Sequence, residues 1–163
     1  MPNNPVGTLS AVRRDKIAAQ YCSIARTAAV IADAWTLLIV REALGGATRF
    51  ADFLDGTGAQ PSVVSDRLKR LLEGGIFERF EYSEHPPRQA YRLTPKGEDL
   101  LPLIAAMNKW GDTHLDGGNG APFVYRHTAC GHDSDPTLVC GSCGEPLTVG
   151  DVTRERGPGA APD

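Results

Sequence analysis

A proline, an apolar stripe and a pair of glycines mark off Pro61–Glu73 (PSVVSDRLKRLLE), and the rest of the chain has to be arranged around it. Pro61 suits the first position of a helix, where its missing N–H is not needed. Val64, Leu68, Leu71 and Leu72 stand at i, i+4, i+7 and i+8, which makes one buried stripe. At 100° per residue, Ser62, Val63, Asp66, Lys69 and Arg70 point away from it, while Ser65 and Arg67 flank it. Gly74-Gly75 ends the helix.

The flanks carry equally clear punctuation. Ile24, Ala28 and Ile31 recur at helical spacing. Asp33 can cap a helix over Trp35–Leu44, which Gly45-Gly46 stops. A short helix is expected around Arg49–Leu54, then a turn at Asp55-Gly56-Thr57-Gly58. Beyond residue 75, Ile76–Tyr82 and Gln89–Thr94 alternate like strands. Their six-residue link, Ser83–Arg88, holds two prolines and reads as a stiff, projecting hairpin tip. Thr94-Pro95 then opens a long amphipathic helix to about His114, bent slightly at Pro102. Trp35 and Trp110 read as core residues.

Three helices, a tight turn, a helix, a hairpin and a long helix make the plan of a winged helix-turn-helix. The bland alternative is a surface helix with solvated charges; the hairpin that follows favours a helix presented to the major groove with a finger on the flanking groove or phosphates. Net charge is −3, which excludes a wholesale polyanion binder, so any nucleic-acid contact must come from local charge. From Gln60 to Arg92 there are six basic and five acidic residues, so disposition matters more than sum. Lys69 and Arg70 lie on the outward face and Arg88 closes the tip; Arg13, Arg14 and Lys16 add a small basic patch upstream. The Ala28–Val40 apolar stretch is too short for a bilayer span, and no secretory pattern opens the chain, so a cytoplasmic protein with no membrane partner is expected. No phosphate-binding loop, nucleophile elbow, zinc-protease or dinucleotide motif is present, which argues against an enzyme. An interaction module built on the same fold is the alternative to a DNA-binding protein, and a steep loss of DNA affinity with salt separates the two.

Four ordered blocks resemble one family. Trp35-Thr36-Leu37-Leu38-Ile39-Val40-Arg41-Glu42 looks like the opening signature of HxlR-type transcriptional regulators, winged-helix relatives of the MarR group. Gly46 with Arg49-Phe50-Ala51-Asp52-Phe53, then Val64–Leu71, then Pro86–Gly97 resemble the family's next blocks. The resemblance spans roughly residues 20–112. It implies a homodimer on a palindromic, double-stranded operator, joined through the N-terminal helix and the helix after the wing, and most simply a repressor relieved by a small molecule or a thiol-reactive signal. Carried over by position, Ser65 and Arg67 meet DNA backbone or base edges, Arg49 a phosphate, and Arg88 the minor groove or its phosphates. Ser62, Lys69 and Arg70 come from the helical face alone. Asp66 stands where the family has a neutral polar residue; it reads a cytosine amine, orients Arg70, or points elsewhere. Cys22 sits where many members carry a cysteine. It is a candidate redox sensor, with Arg26 one turn on to stabilise a thiolate, or a small buried apolar side chain.

Composition changes after residue 110. Residues 1–110 hold 15 Gly and Pro, and the last 53 hold 15 more. The second part is turn-rich and needs a device other than a large core. His127-x2-Cys130-Gly131 and Cys140-x2-Cys143-Gly144 read as two metal knuckles, a zinc-ribbon-like site of His127, Cys130, Cys140 and Cys143 with structural zinc as cofactor. His132 competes with His127 for the fourth place. An unmetallated loop or a redox-active Cys140/Cys143 pair are the alternatives. The expected organisation is an N-terminal arm or helix (1–19), the winged domain (20–115), a small turn-rich appendage (116–153) and a disordered tail (154–163): mainly α with a β-hairpin.

Overall fold

A computed structural model describes residues 15–84 and 87–161, the side chains of residues 83, 84 and 87 excepted. Arg13 and Arg14 of the upstream patch, most of the arm, His85 and Pro86 at the hairpin tip and the last two residues of the tail lie outside the described residues. The elements are α1 (Ser23–Ile31), α2 (Ala34–Leu44), α3 (Phe50–Thr57), α4 (Pro61–Glu73), β1 (Phe77–Glu84), β2 (Pro87–Leu93), α5 (Pro95–Glu98) and α6 (Leu101–His114). A helical turn at residues 15–18 precedes α1. The chain divides into two compact units, Met1–Glu98 with Arg156–Asp163, and Asp99–Glu155.

The first unit is the winged helix-turn-helix. Its core takes Ile39 and Val40 from α2, Phe53 from α3, Val64, Leu68 and Leu71 from α4, and Ile76, Phe77 and Ala90 from the hairpin region. The α4 stripe is therefore buried as its spacing requires. Phe53 meets Phe77 and Tyr91 edge-on at 6.0 and 6.1 Å, so one ring joins α3 to both strands. The strands pair antiparallel, Phe77 opposite Leu93 and Phe80 opposite Ala90. The Tyr91 N–H donates to the Thr48 carbonyl at 2.7 Å, which moors the hairpin to the segment before α3.

Four details depart from the sequence expectations. The helix expected to end at Leu54 runs on to Thr57, and Gly58 closes it at φ 67°, a conformation glycine adopts without strain. The hairpin link is shorter than six residues: pairing continues to Glu84 opposite Pro87, past a register shift between Glu81 and Ser83. Pro87 is tolerated as the first residue of its strand. The long helix is broken, not bent. Pro102 has no N–H and its ring would crowd the carbonyl four residues back, so α5 stops at Glu98 and α6 restarts with the proline in its first turn. That break puts α6 in the second unit, whereas the winged domain was expected to reach residue 115.

The tryptophans are not core residues. Trp35 is 37% exposed, because α2 buries Thr36, Ile39 and Val40 instead. Trp110 is 58% exposed on a helix that buries no residue. Leu101, Leu103 and Met107 of α6 are exposed with it. In the tail, a Gly157–Ala160 turn closes and the Arg156 guanidinium donates to the Ala161 carbonyl at 2.6 Å.

Among the described glycines of the first unit, Gly97 is the one most closely approached by backbone. A Cβ there would lie 2.3 Å from the Ile76 carbonyl oxygen and 2.9 Å from Leu93 Cδ2. Gly97→Ala is expected to lower stability by about 1–3 kcal/mol, the usual range for overpacking, read as a lower urea midpoint. An unchanged midpoint would show that α5 can slide off the hairpin.

Candidate nucleic-acid interface

The exposed face of α4, the start of α3 and the hairpin lie in the first unit, and the local structure of each follows from a few polar contacts. Asp33 caps α2 by accepting from the Thr36 N–H at 3.1 Å. The same carboxylate takes the Arg67 guanidinium in two bonds, Nε to Oδ1 at 2.9 Å and Nη2 to Oδ2 at 2.7 Å. Such a forked pair fixes direction as well as distance. Burial pushes the Asp33 carboxyl up, but the bonds from Arg67 and Thr36, with the Arg67 charge, outweigh it and hold it below its usual range. Asp33 raises Arg67 in turn, against its desolvation, with Asp66 adding to the effect.

Asp66 is the hub of the α4 charges. It pairs with Arg67 on one side and with Arg70 Nη2, one turn on, at 2.9 Å on the other. The contact with Arg70 is the geometry that an orienting role for Asp66 needs, and Arg67 shares the same carboxylate. Arg70 is less outward than helical spacing suggests: it is half-buried, and its enclosed Nη1 has no hydrogen-bond partner among the described residues. Arg67 is mostly covered, so its fork is spent within the protein. Ser62, Ser65 and Lys69 are exposed. Lys69 lies 3.9 Å from Glu73, an exposed pair of little energetic weight.

Arg49 precedes α3, and its backbone N–H donates to Asp52 at 2.7 Å, as does that of Thr48 at 3.1 Å. These two donors hold the Asp52 carboxyl below its usual range. The exposed Arg49 guanidinium lies 4.8 Å over the Tyr82 ring, which links the start of α3 to the hairpin. Sequence spacing gave no signal for that contact. Two other hairpin arginines are taken up locally, Arg79 over Tyr91 and Arg92 over Phe80 and against Glu78 at 2.6 Å. Arg88 is exposed on β2, opposite Ser83.

Cys22 is half-buried just before α1. The Arg26 guanidinium donates to Ser23 Oγ at 3.3 Å. No disulfide joins the four cysteines.

In the second unit the metal-ligand candidates fall into two pairs. His127 Nδ1 lies 3.2 Å from Cys130 Sγ. Backbone N–H groups of Ser142 and Cys143 hold the Cys140 thiol below its ordinary value. Among the described residues no three His, Cys, Asp or Glu side chains are gathered closely enough to hold a metal ion. No single described helix is long and apolar enough to cross a membrane.

The HxlR-like helix-turn-helix profile matches residues 30–119, more than half of the chain. The chain belongs to the HxlR-like helix-turn-helix family. Its similarity to an uncharacterized HTH-type transcriptional regulator of Mycobacterium tuberculosis is 42% identity over 137 residues, covering 84% of this chain and 87% of that one. A second, from Synechocystis, is 33% identical over 96 residues, 58% of this chain and 71% of the relative. Among solved structures, PA1607, provisionally assigned as a transcription factor, superposes with a TM-score of 0.79 at 31% identity over 87% of this chain and 99% of its own. The redox regulator HypR in its oxidized form gives a TM-score of 0.54 at 28% identity over 58% of this chain and 99% of its own. This HxlR-type protein is a transcriptional regulator and not an enzyme.

The Asp33–Arg67 pair predicts a pH dependence. The folded-state pKa of Asp33 is depressed, so its stabilisation is complete above the unfolded value of about 3.9 and is lost as pH falls through the folded value. Asn keeps the cap but loses the charge. Asp33→Asn should therefore destabilise the regulator by about 1 kcal/mol at pH 7, discounting for partial exposure, with the difference shrinking below about pH 4. Urea titrations across that range check it; a deficit that is constant with pH would reject the ionic account.

Proposed function

We propose that this HxlR-type regulator is a cytoplasmic homodimer that binds a palindromic double-stranded operator as a repressor. The observation that carries the reading is the division of α4: Val64, Leu68 and Leu71 are buried while Ser62, Ser65 and Lys69 are exposed. A helix so divided can enter the major groove without uncovering the core. Ser62, Ser65 and Lys69 would touch base edges and phosphates. Arg70, steered by Asp66, would face a guanine. Arg49 and Arg88 would grip phosphates on either side, Arg88 at the minor groove. Arg67 is assigned a positioning role, since its guanidinium is held by Asp33.

The exposed apolar residues of α1 (Ile24, Val30) and of α6 (Leu103, Met107, Trp110) support pairing of two copies, each helix offering surface that a lone chain leaves in water. Relief of repression is assigned to a thiol-reactive or small-molecule signal acting at Cys22. The half-buried setting of that thiol and the likeness to a redox regulator support this.

Selection of bound duplexes from a random pool, followed by anisotropy titration, tests the reading. Arg88→Ala should weaken binding to every duplex and flatten the salt dependence by about one unit of log–log slope, with thermal stability unchanged. Arg70→Ala should relax preference at one base pair, at a cost of about 1–3 kcal/mol. Arg67→Ala should lower the melting temperature as well as affinity. Failure of the pool to enrich, or affinity indifferent to salt, would remove the DNA-binding assignment in favour of a protein-interaction role. For Cys22, a diamide-induced loss of binding that persists in Cys22→Ser would remove the sensor.

A further inference from the structure

The second unit contains a structural repeat that its residues barely announce. Adding 13 to each residue number of the first hairpin gives the second. Arg126 bridges Asp133, and Val139 bridges Pro146. The Ser134 N–H donates to the Tyr125 carbonyl, and that of Leu147 to Leu138; the His127 N–H donates to His132, and that of Cys140 to Glu145. The Gly131 N–H donates to His127 and the Gly144 N–H to Cys140, both at 2.8 Å. Gly131 and Gly144 share the left-handed conformation, φ 72° and 79°. Only the cysteine and glycine of each turn are the same residue: Cys130-Gly131 and Cys143-Gly144. A backbone repeated in such detail on different side chains points to what the retained positions do.

The retained cysteine and the position three before it, His127 or Cys140, carry metal-donor side chains in both hairpins. The repeat matches His127 with Cys140 and Cys130 with Cys143, with two residues between the members of each pair. His127 Nδ1 already stands 3.2 Å from Cys130 Sγ, a separation suited to two donors of one tetrahedral cation. The repeat also separates the two histidines. His132 corresponds to Glu145, one residue beyond the glycine, and therefore falls outside the donor positions. Folding energy gives an independent reason for a clip. None of residues 99–155 is buried, so the unit has no apolar core of its own. The link between the hairpins is anchored by Lys109, which meets Asp135 at 2.6 Å and the Pro136 carbonyl at 3.0 Å.

We propose that His127, Cys130, Cys140 and Cys143 bind one zinc ion that joins the two hairpins, with His127 and not His132 as the fourth ligand. Among the described residues no three of these donors are gathered, so binding requires the two hairpins to close on the ion. Thiolate and imidazole donors in tetrahedral number select zinc over hard cations, and four protein ligands leave no open position for catalysis. The site is closed and structural, and all four of its residues belong to the second unit.

The test uses the full chain, purified under reducing conditions and loaded with Co²⁺ as the spectroscopic stand-in. One cobalt per chain is expected, with thiolate-to-cobalt charge-transfer absorption and the intense visible bands of a tetrahedral site, displaced by equimolar Zn²⁺. His132→Ala should leave that spectrum intact. His127→Ala should lose the tetrahedral bands. His127→Cys should retain them with stronger charge-transfer absorption from a fourth thiolate, a gain that misfolding cannot produce. Absence of tetrahedral cobalt in the reduced parent chain would overturn the proposal. So would a spectrum that survives His127→Ala and vanishes in His132→Ala, or a Cys140–Cys143 disulfide that takes up no metal after reduction. None of these readouts depends on operator binding.

Discussion

One carboxylate organises the DNA-facing unit. Asp33 satisfies a free N–H at the start of α2 and holds the Arg67 guanidinium from α4 with its two oxygens. The residues are 34 apart in sequence, so a local capping device becomes a long-range brace. Packing of Val64, Leu68 and Leu71 decides which side of α4 faces inward. Apolar contact alone leaves a helix free to slide or roll by small amounts, whereas a forked ionic hydrogen bond has a preferred direction. The brace sets the angle at which Ser62, Ser65 and Lys69 are offered. Those side chains are short or flexible, and they depend on the backbone beneath them for position.

Much of this was legible in the residues. Pro61, the apolar stripe and the glycine pair marked α4 at its observed ends, because proline and glycine act through local backbone geometry. Asp33 and Thr94 were legible as caps for the same reason; Thr94 Oγ1 accepts from the Gly97 N–H at 3.2 Å. The contacts that tune the site were not. The resemblance assigned Arg67 to DNA, and neither a matching block nor helical spacing reveals the Asp33 carboxylate 34 residues away that holds it. Arg49 over Tyr82 joins residues whose separation has no periodic meaning. The Trp35 and Trp110 positions were misjudged because size and apolarity were taken for burial, while in one chain α6 has no buried side to offer.

The two units are stabilised by different means. The first has a core of rings and branched side chains joined through Phe53. The second has short hairpins whose hydrogen bonds are almost wholly within each turn, and no fully buried residue. Turn chemistry was evident in its glycine and proline content. The 13-residue repeat was not, because it resides in the hydrogen-bond pattern and in the φ values of two glycines, and its side chains differ.

Asp66 carries a consequence for how such a protein would find its target. By bridging Arg67 and Arg70 it offsets positive charge on the helix meant to meet a polyanion. If α4 reads the operator as proposed, a helix nearly neutral in sum would gain little from the uniform field of phosphates and would be weakly retained on irrelevant stretches of chromosome. Residence at the proper address then rests on fit, and fewer copies of the protein are needed to keep one address occupied.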